Sequence, residues 1–571
     1  MDDTTTPDEN QQQETPVTRP VRKPARDPLD RDPEAPPRDL IDLLGGRVLD
    51  PSTAMKIRGV TPRATVYVSD RLLVPTARLE AVRELLNRVG EGKGWVVVPD
   101  EDFPAWEVTI PDPREPGAEI TLGRARLVIE VAEGTAASAP DAWILLQLAR
   151  AVDRDGVRGV GLDHAVFATG DPLPNPVHDP NPVHDPNPVH DPNPVHDPNP
   201  VHDPNPVHDP NRSPVHDPNP VHDPNPYRNV GKSPVNYVGP RPFRCPDERL
   251  GSLRPVVAIL DSGCDTSHPW LNGIVDETVE MDGQIGHTDP ATDSEEHGDL
   301  AGPLDGALDT NSGHGTFIAG LVHQACPDAD ILSWRLVDSE GPVSESEWER
   351  ALSQVVKLVQ AYRNGDPKGH RIDVLSLSMG FYHETAEDTE AVETARLLLG
   401  ALGAMGVIVV CSAGNDATAR PQFPAALAPW RTDPSPPISL PVRKDALPLV
   451  SVGALNPNGT DALFSNTGPW VRAWAPGVAL ISTLPRWNGG YLPVARVRYE
   501  GRTREGFDPD NFAPGFGTWN GTSFAAPLLA GRLAQELLAT MPSDEDAARA
   551  TAVERGWTAL EVHTELSVLQ P

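Results

Sequence analysis

Between Asp171 and Tyr227 the pentapeptide Pro-Val-His-Asp-Pro recurs eight times, mostly within the hexapeptide NPVHDP, with one break at Arg212-Ser213. Proline at this density removes backbone donors and fixes φ, so the segment cannot enter a helix, a sheet or a solenoid and is expected to be an extended spacer. Whatever packs must therefore do so before the repeat, after it, or in two separate units. The repeated histidines offer imidazole ligands to a transition metal, but ligands on an extended chain are not preorganised, and the segment reads as a linker first.

The 571 residues carry 82 acidic against 48 basic side chains, a net charge of −34, which excludes nucleic acid and an anionic membrane as partners. No run approaches the roughly 20 apolar residues of a membrane-spanning helix. The opening MDDTTTPDENQQQ has neither a basic nor an apolar leader region. Four cysteines, Cys245, Cys264, Cys326 and Cys411, are too few for a disulfide framework and form no CxxC pair, so a reducing cytoplasm is the expected compartment. Oligomeric state is not readable from these features.

Residues 1–58, rich in Asp, Glu, Gln, Thr, Pro and Arg, are expected to be a disordered tail. From 59 to 169 the pattern changes. ATVYVSDRLLV reads as a strand or hairpin, Leu79, Val82, Leu85, Leu86 and Val89 recur at helical spacing, and WVVVP, ARLVIEV and VGLDHAVFA read as strands around a helix from Asp141 to Val152. The order β-α-β-β-α-β predicts a small α+β domain of the ferredoxin-like kind. The spacer takes residues 170–250. From 251 to 545, VVAILD, ADILSWRLV, DVLSLSM, GVIVVCSAGN and LVSVGAL are short, wholly apolar runs separated by helical stretches, the pattern of a doubly wound, mainly parallel α/β sheet. Residues 546–571 are taken as a C-terminal extension.

In such sheets the ligand site lies beyond the C-terminal strand ends, and there the chemistry collects. Asp261 follows VVAIL, His314 opens a helical stretch in SGHGTFIAG, and Ser523 stands in GTSFAAP before LLAGRLAQELL. A serine hydroxyl is a poor nucleophile near neutral pH; it needs a histidine to take its proton and a carboxylate to fix the imidazole tautomer. Asn415, in SAGN directly after GVIVVC, offers a side-chain amide that with the Ser523 N–H could hold an oxyanion.

At this point the chain resembles the subtilisin-like serine proteases, the subtilases, over residues 254–540. VAILDSGCD, SGHGTFIAG, SAGN and GTSFAAP stand in the family's order, and FSNTGPWVRAWAPGVALISTLP between the last two is also similar. The resemblance implies an endopeptidase with Ser523 as nucleophile, His314 as general base and Asp261 as orienting carboxylate. Asn415 would be the oxyanion donor. It further implies that Ser378, Met379 and Gly380 hold a polypeptide substrate as an added strand, with Ser412, Ala413 and Gly414 across the cleft. No cofactor is required. The acidic loop Asp282–Asp309 could favour basic substrates or bind calcium, as many subtilases do, but no regular ligand spacing appears there and an acidic run is more often a solvated face. Phe317 and Leu528 stand at or near positions where the family often has histidines and are expected to be packing changes; Phe524 follows the serine where the family often has methionine, which predicts tolerance to peroxide. Because subtilases often carry a ferredoxin-like prodomain, residues 59–169 are expected either to be cut off near residue 168 or to persist as an accessory module. A silent peptide-binding adaptor and a triggered maturase with one substrate remain open.

Overall fold

The computed structural model describes residues 29, 31–33, 35–112, 114, 117–135, 137–168, 231–301, 304, 308–339, 341–386, 390, 392–432, 436–488 and 496–566. The Pro-Val-His-Asp-Pro repeat lies outside them.

The first unit runs α1 (Arg38–Leu43), β1 (Gly46–Leu49), β2 (Thr65–Pro75), α2 (Leu79–Gly90), β3 (Trp95–Pro99), β4 (Trp106–Pro111), β5 (Glu119–Val131), α3 (Ala142–Val152) and β6 (Gly161–Ala168). Its strands pair antiparallel in the order β6-β2-β5-β3, with β1 on β2 and β4 on β5. Helix α2 buries Val82, Leu85 and Leu86, the stripe its spacing predicts, and α3 starts where the Asp141 carboxylate accepts the Ile144 N–H at 3.0 Å. Both helices cover one face of this sheet, over Leu72, Val74, Leu127, Ile129 and Leu162. The expected tail is corrected in part: Ile41 and Leu49 are buried, and β1 is held by β2. Strand β4 was not foreseen, although Trp106, Val108 and Ile110 alternate with exposed residues at strand period.

The second unit begins with β7 (Ser233–Pro234), α4 (Asp247–Leu250), β8 (Val256–Asp261), β9 (Val275–Asp276), α5 (His314–Ala325), β10 (Asp330–Arg335), β11 (Val343–Ser344) and α6 (Glu345–Arg363). It continues with β12 (Val374–Leu377), β13 (Met379–Gly380), α7 (Glu393–Ala404), β14 (Ile408–Ser412), β15 (Val450–Leu455), β16 (Ala473–Pro476), β17 (Leu480–Thr483), β18 (Arg496–Tyr499), β19 (Arg502–Glu505), β20 (Phe516–Trp519), α8 (Thr522–Thr540) and α9 (Glu545–His563). A parallel sheet of order β16-β15-β14-β12-β8-β10-β9 forms its centre. Val257 and Ile259 of β8 face the layer of α5 and α8, while Ala258 and Leu260 face that of α6 and α7, which is why these strands read as unbroken apolar runs. Strand order reverses at β8, which places Asp261 at the switch point of the sheet. The expected C-terminal extension is corrected too: Trp557, Ala559 and Leu560 of α9 are buried in the core shared with α8.

The free face of the small sheet is covered by the second unit. Trp106, Val108, Ile110, Leu122 and Val166 share one core with Trp348, Leu352 and Val355 of α6. Two ion pairs involve this face: Arg124 donates to Glu349 across the seam at 3.2 Å, both buried, and Arg126 to the half-buried Asp100 at 2.7 Å within the small unit. Removing the indole at this seam, in Trp348→Ala, is expected to cost roughly 3–5 kcal/mol, as for other fully buried large side chains. Urea unfolding against wild type measures it, and a change under about 1 kcal/mol would contradict the packing described.

Candidate functional site

The first two candidate residues meet through backbone placement. Asp261 ends β8, His314 begins α5, and both side chains are fully buried. The His314 Nδ1–H donates to Asp261 Oδ1 at 2.6 Å, and Oδ1 also accepts the Ser262 N–H at 2.8 Å. With Nδ1 so engaged the ring is held in the tautomer that leaves Nε2 as the basic nitrogen, and Nε2 has no hydrogen-bond partner among the described residues. The imidazole stands against Phe524, at a centroid distance of 5.1 Å, and meets the edge of Trp519 at 5.5 Å. It is therefore beside the first turn of α8, where Ser523 sits. The Ser523 hydroxyl donates to the Ser378 carbonyl at 3.4 Å, and the Ser378 hydroxyl to the Ser523 carbonyl at 2.8 Å.

Asn415 is fixed by its oxygen. Oδ1 accepts both the Thr522 N–H and the Thr522 hydroxyl at 2.9 Å, so the amide is oriented by a backbone donor that cannot act as an acceptor. The Thr522 hydroxyl in turn accepts the Gly414 N–H at 3.0 Å, tying the SAGN turn to the start of α8. Gly414 has a φ of +101°, and a Cβ there would lie 1.9 Å from Gln422 Oε1, so only glycine fits. Ser412 and Ala413 are buried at the end of β14, and the Ala413 N–H donates to the Val452 carbonyl at 2.9 Å.

Met379 and Gly380 form a sheet edge that β6 occupies. Ala168 pairs with Met379 and Phe167 with Gly380, antiparallel, while Val166 pairs with Val343 and Ala165 with Ser344. A cavity beside this ladder is lined by Phe167, Ala168, Gly380, Tyr382, Asn415 and Gln422. The last strand of the small unit thus lies along the cleft edge, pointing its C-terminal end toward the candidate groups.

Buried charge locks this strand. His164 is 1% exposed, with Nδ1 2.6 Å from Glu345 and Nε2 2.9 Å from Glu384. Burial opposes a charge on the ring, but the two carboxylates overcome it and raise its pKa to about 10. Next to it, Asp163 accepts the Ser346 N–H and hydroxyl, both at 2.9 Å, at the start of α6; burial pushes its carboxyl up to about 6.

Several groups that shape the site were not foreseen. Lys232, directly before β7, donates to the carbonyls of Thr310 and Ser312 at 3.1 and 2.8 Å and to that of Asp309, and its ammonium lies 4.8 Å over the Trp519 ring. Asn466 holds the oxyanion-side loop: its amide donates to the Ala413 carbonyl at 2.8 Å and the Tyr382 hydroxyl at 2.7 Å, and its oxygen accepts the Asp416 and Thr418 N–H groups. A lone lysine in a Pro-rich stretch carries no signal of such a role; Asn466 lay inside FSNTGPW, which did. Phe317 packs against Phe524 and Trp519, as expected of a packing change. Cys264 is buried, and burial with Glu277, Glu295 and Asp265 holds its thiol well above the ordinary range, so it is not a reactive thiolate. Among the described residues no group of three His, Cys, Asp or Glu could hold a metal ion.

The subtilase family matches residues 254–556, and this chain belongs to it. Over 284 residues it is 28% identical to the major intracellular serine protease of Bacillus subtilis (strain 168), a match covering 49% of this chain and 66% of that protein. It is 25% identical over 287 residues to the intracellular serine protease of Paenibacillus polymyxa, covering 49% and 65%. Subtilisin E of Bacillus subtilis (strain 168) is 25% identical over 282 residues, covering 49% and 54%. The chain thus spans less than two thirds of the length of these relatives. A solved lanthipeptide protease, 20% identical, covers 54% of this chain and 87% of its own, with a TM-score of 0.34.

The His164 clamp sets a pH dependence for the seam. A histidine released to solvent titrates near 6.5, so its raised pKa stabilises docking fully below about 6.5, and this contribution fades as pH rises toward 10. The groups facing it are Glu345 on α6, Glu384 and His383 after β13, Arg150 on α3 and the adjacent Asp163. Asp163 and Glu349, both raised by burial, disfavour the docked state as they ionise and so act in the same direction. Hydrogen exchange of β6, corrected for its intrinsic pH dependence, is expected to accelerate between about pH 7 and 10, less so in His164→Gln. Protection independent of pH would contradict the clamp.

Proposed function

We propose that this protein is a serine endopeptidase that hydrolyses peptide bonds within polypeptides. The observation that carries this is the 2.6 Å Asp261–His314 bond, with His314 Nε2 unpartnered among the described residues and beside the helix start that bears Ser523. As substrate enters, the Ser523 hydroxyl turns from the Ser378 carbonyl to Nε2. Its proton passes to His314, Oγ bonds to the scissile carbonyl carbon, and Asp261 stabilises the imidazolium. The oxyanion is held by the Asn415 amide and the Ser523 N–H at the positive end of α8. Collapse sends the imidazolium proton to the leaving amine; water, activated by the same nitrogen, then releases the acyl group. These steps require no cofactor.

The substrate enters as an added strand on Met379 and Gly380, the place held by Phe167 and Ala168, with Ser378 and the turn Ser412–Gly414 bounding the cleft. The small unit is a ferredoxin-like prodomain in this account, a reading supported by its strand order, and the enzyme cuts itself after about residue 168. The cytoplasm is the proposed compartment. The four cysteines are free, and two of the relatives above are named as intracellular. Among the described residues no helix is long and apolar enough to cross a membrane.

A fluorophosphonate probe is expected to label wild type and not Ser523→Ala, and Asn415→Ala is expected to lose roughly 10²- to 10³-fold in kcat on a peptide substrate, the magnitude known for subtilisin's own oxyanion donor. Absence of labelling after removal of the small unit would favour a silent binder. Full activity in Asn415→Ala would remove the oxyanion role.

A further inference from the structure

The acidic stretch Asp282–Asp309 reads as a solvated face, yet one of its carboxyls turns inward. Glu295 is 6% exposed and sits behind the Asp261–His314 pair. Its Oε1 lies 2.5 Å from the Ser262 hydroxyl oxygen and its Oε2 2.5 Å from the Thr316 hydroxyl oxygen, both within hydrogen-bond reach. Each hydroxyl is already bound on its other side. Ser262 Oγ accepts the Gly315 N–H at 2.8 Å, and Thr316 Oγ1 accepts the Asp265 N–H at 2.7 Å. Ser262 directly follows Asp261, and Gly315 and Thr316 directly follow His314. One carboxyl therefore closes two hydrogen-bonded bridges between the turn that carries the aspartate and the helix start that carries the histidine.

The two backbones come close enough to need such a tie. A Cβ on Gly315 would lie 2.0 Å from the Gly263 carbonyl oxygen, so the turns touch through main chain. The loop bearing Glu295 is itself anchored: the Arg335 guanidinium donates to the carbonyls of Asp289 and Thr292, and the Ser294 hydroxyl to the Ser262 carbonyl at 3.3 Å.

We propose that Glu295 is a positioning residue for the reaction, fixing the approach of His314 to Asp261 through Ser262 and Thr316. This rests on the endopeptidase reading of the same site. Glu295 acts through the two turns and touches no reacting atom. Burial pushes its carboxyl up to about 8, toward the protonated form. A protonated carboxyl offers a donor on one side and an acceptor on the other, and a glutamine amide supplies the same pair in nearly the same shape.

The test compares Glu295→Ala, Glu295→Gln and Thr316→Val in the full chain. Peptide hydrolysis at neutral pH is expected to show kcat lowered by roughly 10- to 100-fold in Glu295→Ala with KM within about threefold, since the loss falls on the transition state. Glu295→Gln should restore most of that turnover, and Thr316→Val, which removes one bridge and keeps the volume, should fall between. The second arm needs no activity: in a Ser523→Ala background the downfield proton resonance of the His314 Nδ1–H is followed. It should persist with the native Glu295 and in Glu295→Gln, and broaden or vanish in Glu295→Ala. Should Glu295→Ala fail to fold, Thr316→Val and Glu295→Gln carry the comparison. Turnover and resonance unchanged in Thr316→Val and Glu295→Ala would overturn the proposal, as would Glu295→Gln failing in both arms as badly as Glu295→Ala. If no variant or wild type hydrolyses peptide, the endopeptidase reading fails, and the resonance still decides whether Glu295 positions the pair.

Discussion

Strand β6 takes part in two structures, and the arrangement of the cleft depends on both. Through β2 it closes the sheet of the small unit; through β13 and β11 it pairs with two short strands of the large unit that lie outside that unit's parallel sheet. An edge strand with unpaired backbone groups is a place where another chain adds. Here the chain's own N-terminal unit adds first, with Ala168 at the end of the ladder nearest the Ser378–Ser523 contacts. In the proposed function that is the geometry of a product strand still seated on its enzyme.

Two kinds of interaction hold it there, and they differ in what they contribute. The apolar face shared with α6 makes the seam part of a core, so the small sheet by itself would expose Trp106, Val108 and Ile110 to water. The buried charges contribute specificity more than net stability, because desolvation offsets most of their attraction. Arg124 on Glu349 and His164 between Glu345 and Glu384 can be satisfied only in one register. The first term makes the small unit adhere; the second decides where its last strand lies.

The parallel sheet and its helices could be read from the chain because strands buried on both faces leave unbroken apolar runs, as in VVAILD and GVIVVC. The meeting of Asp261 and His314 was legible for a related reason, since each follows such a run or opens a helix at the same sheet edge. Strand β4 was not read, although its alternation is regular, because it is short, starts just after Pro104 and ends at Pro111, and proline weakens a strand pattern. Residues 38–49 were lost to the composition of their neighbours. Glu295 and Lys232 carried no local signal: an acid among acids looks solvated, and a lysine after a proline-rich run looks like more linker. Their significance lies in which backbone and hydroxyl groups they meet, and those are distant in sequence, Thr316 for the one and Ser312 for the other.

The most direct test of the central claim, that the chain is a serine endopeptidase seated on its own N-terminal strand, is the intact mass of purified wild type beside Ser523→Ala, both expressed without added protease. The account predicts that wild type alone is shortened, by a cut just beyond Ala168, while Ser523→Ala stays full length. Wild type remaining full length after the seam is loosened at alkaline pH, or both proteins being cut alike, would contradict it.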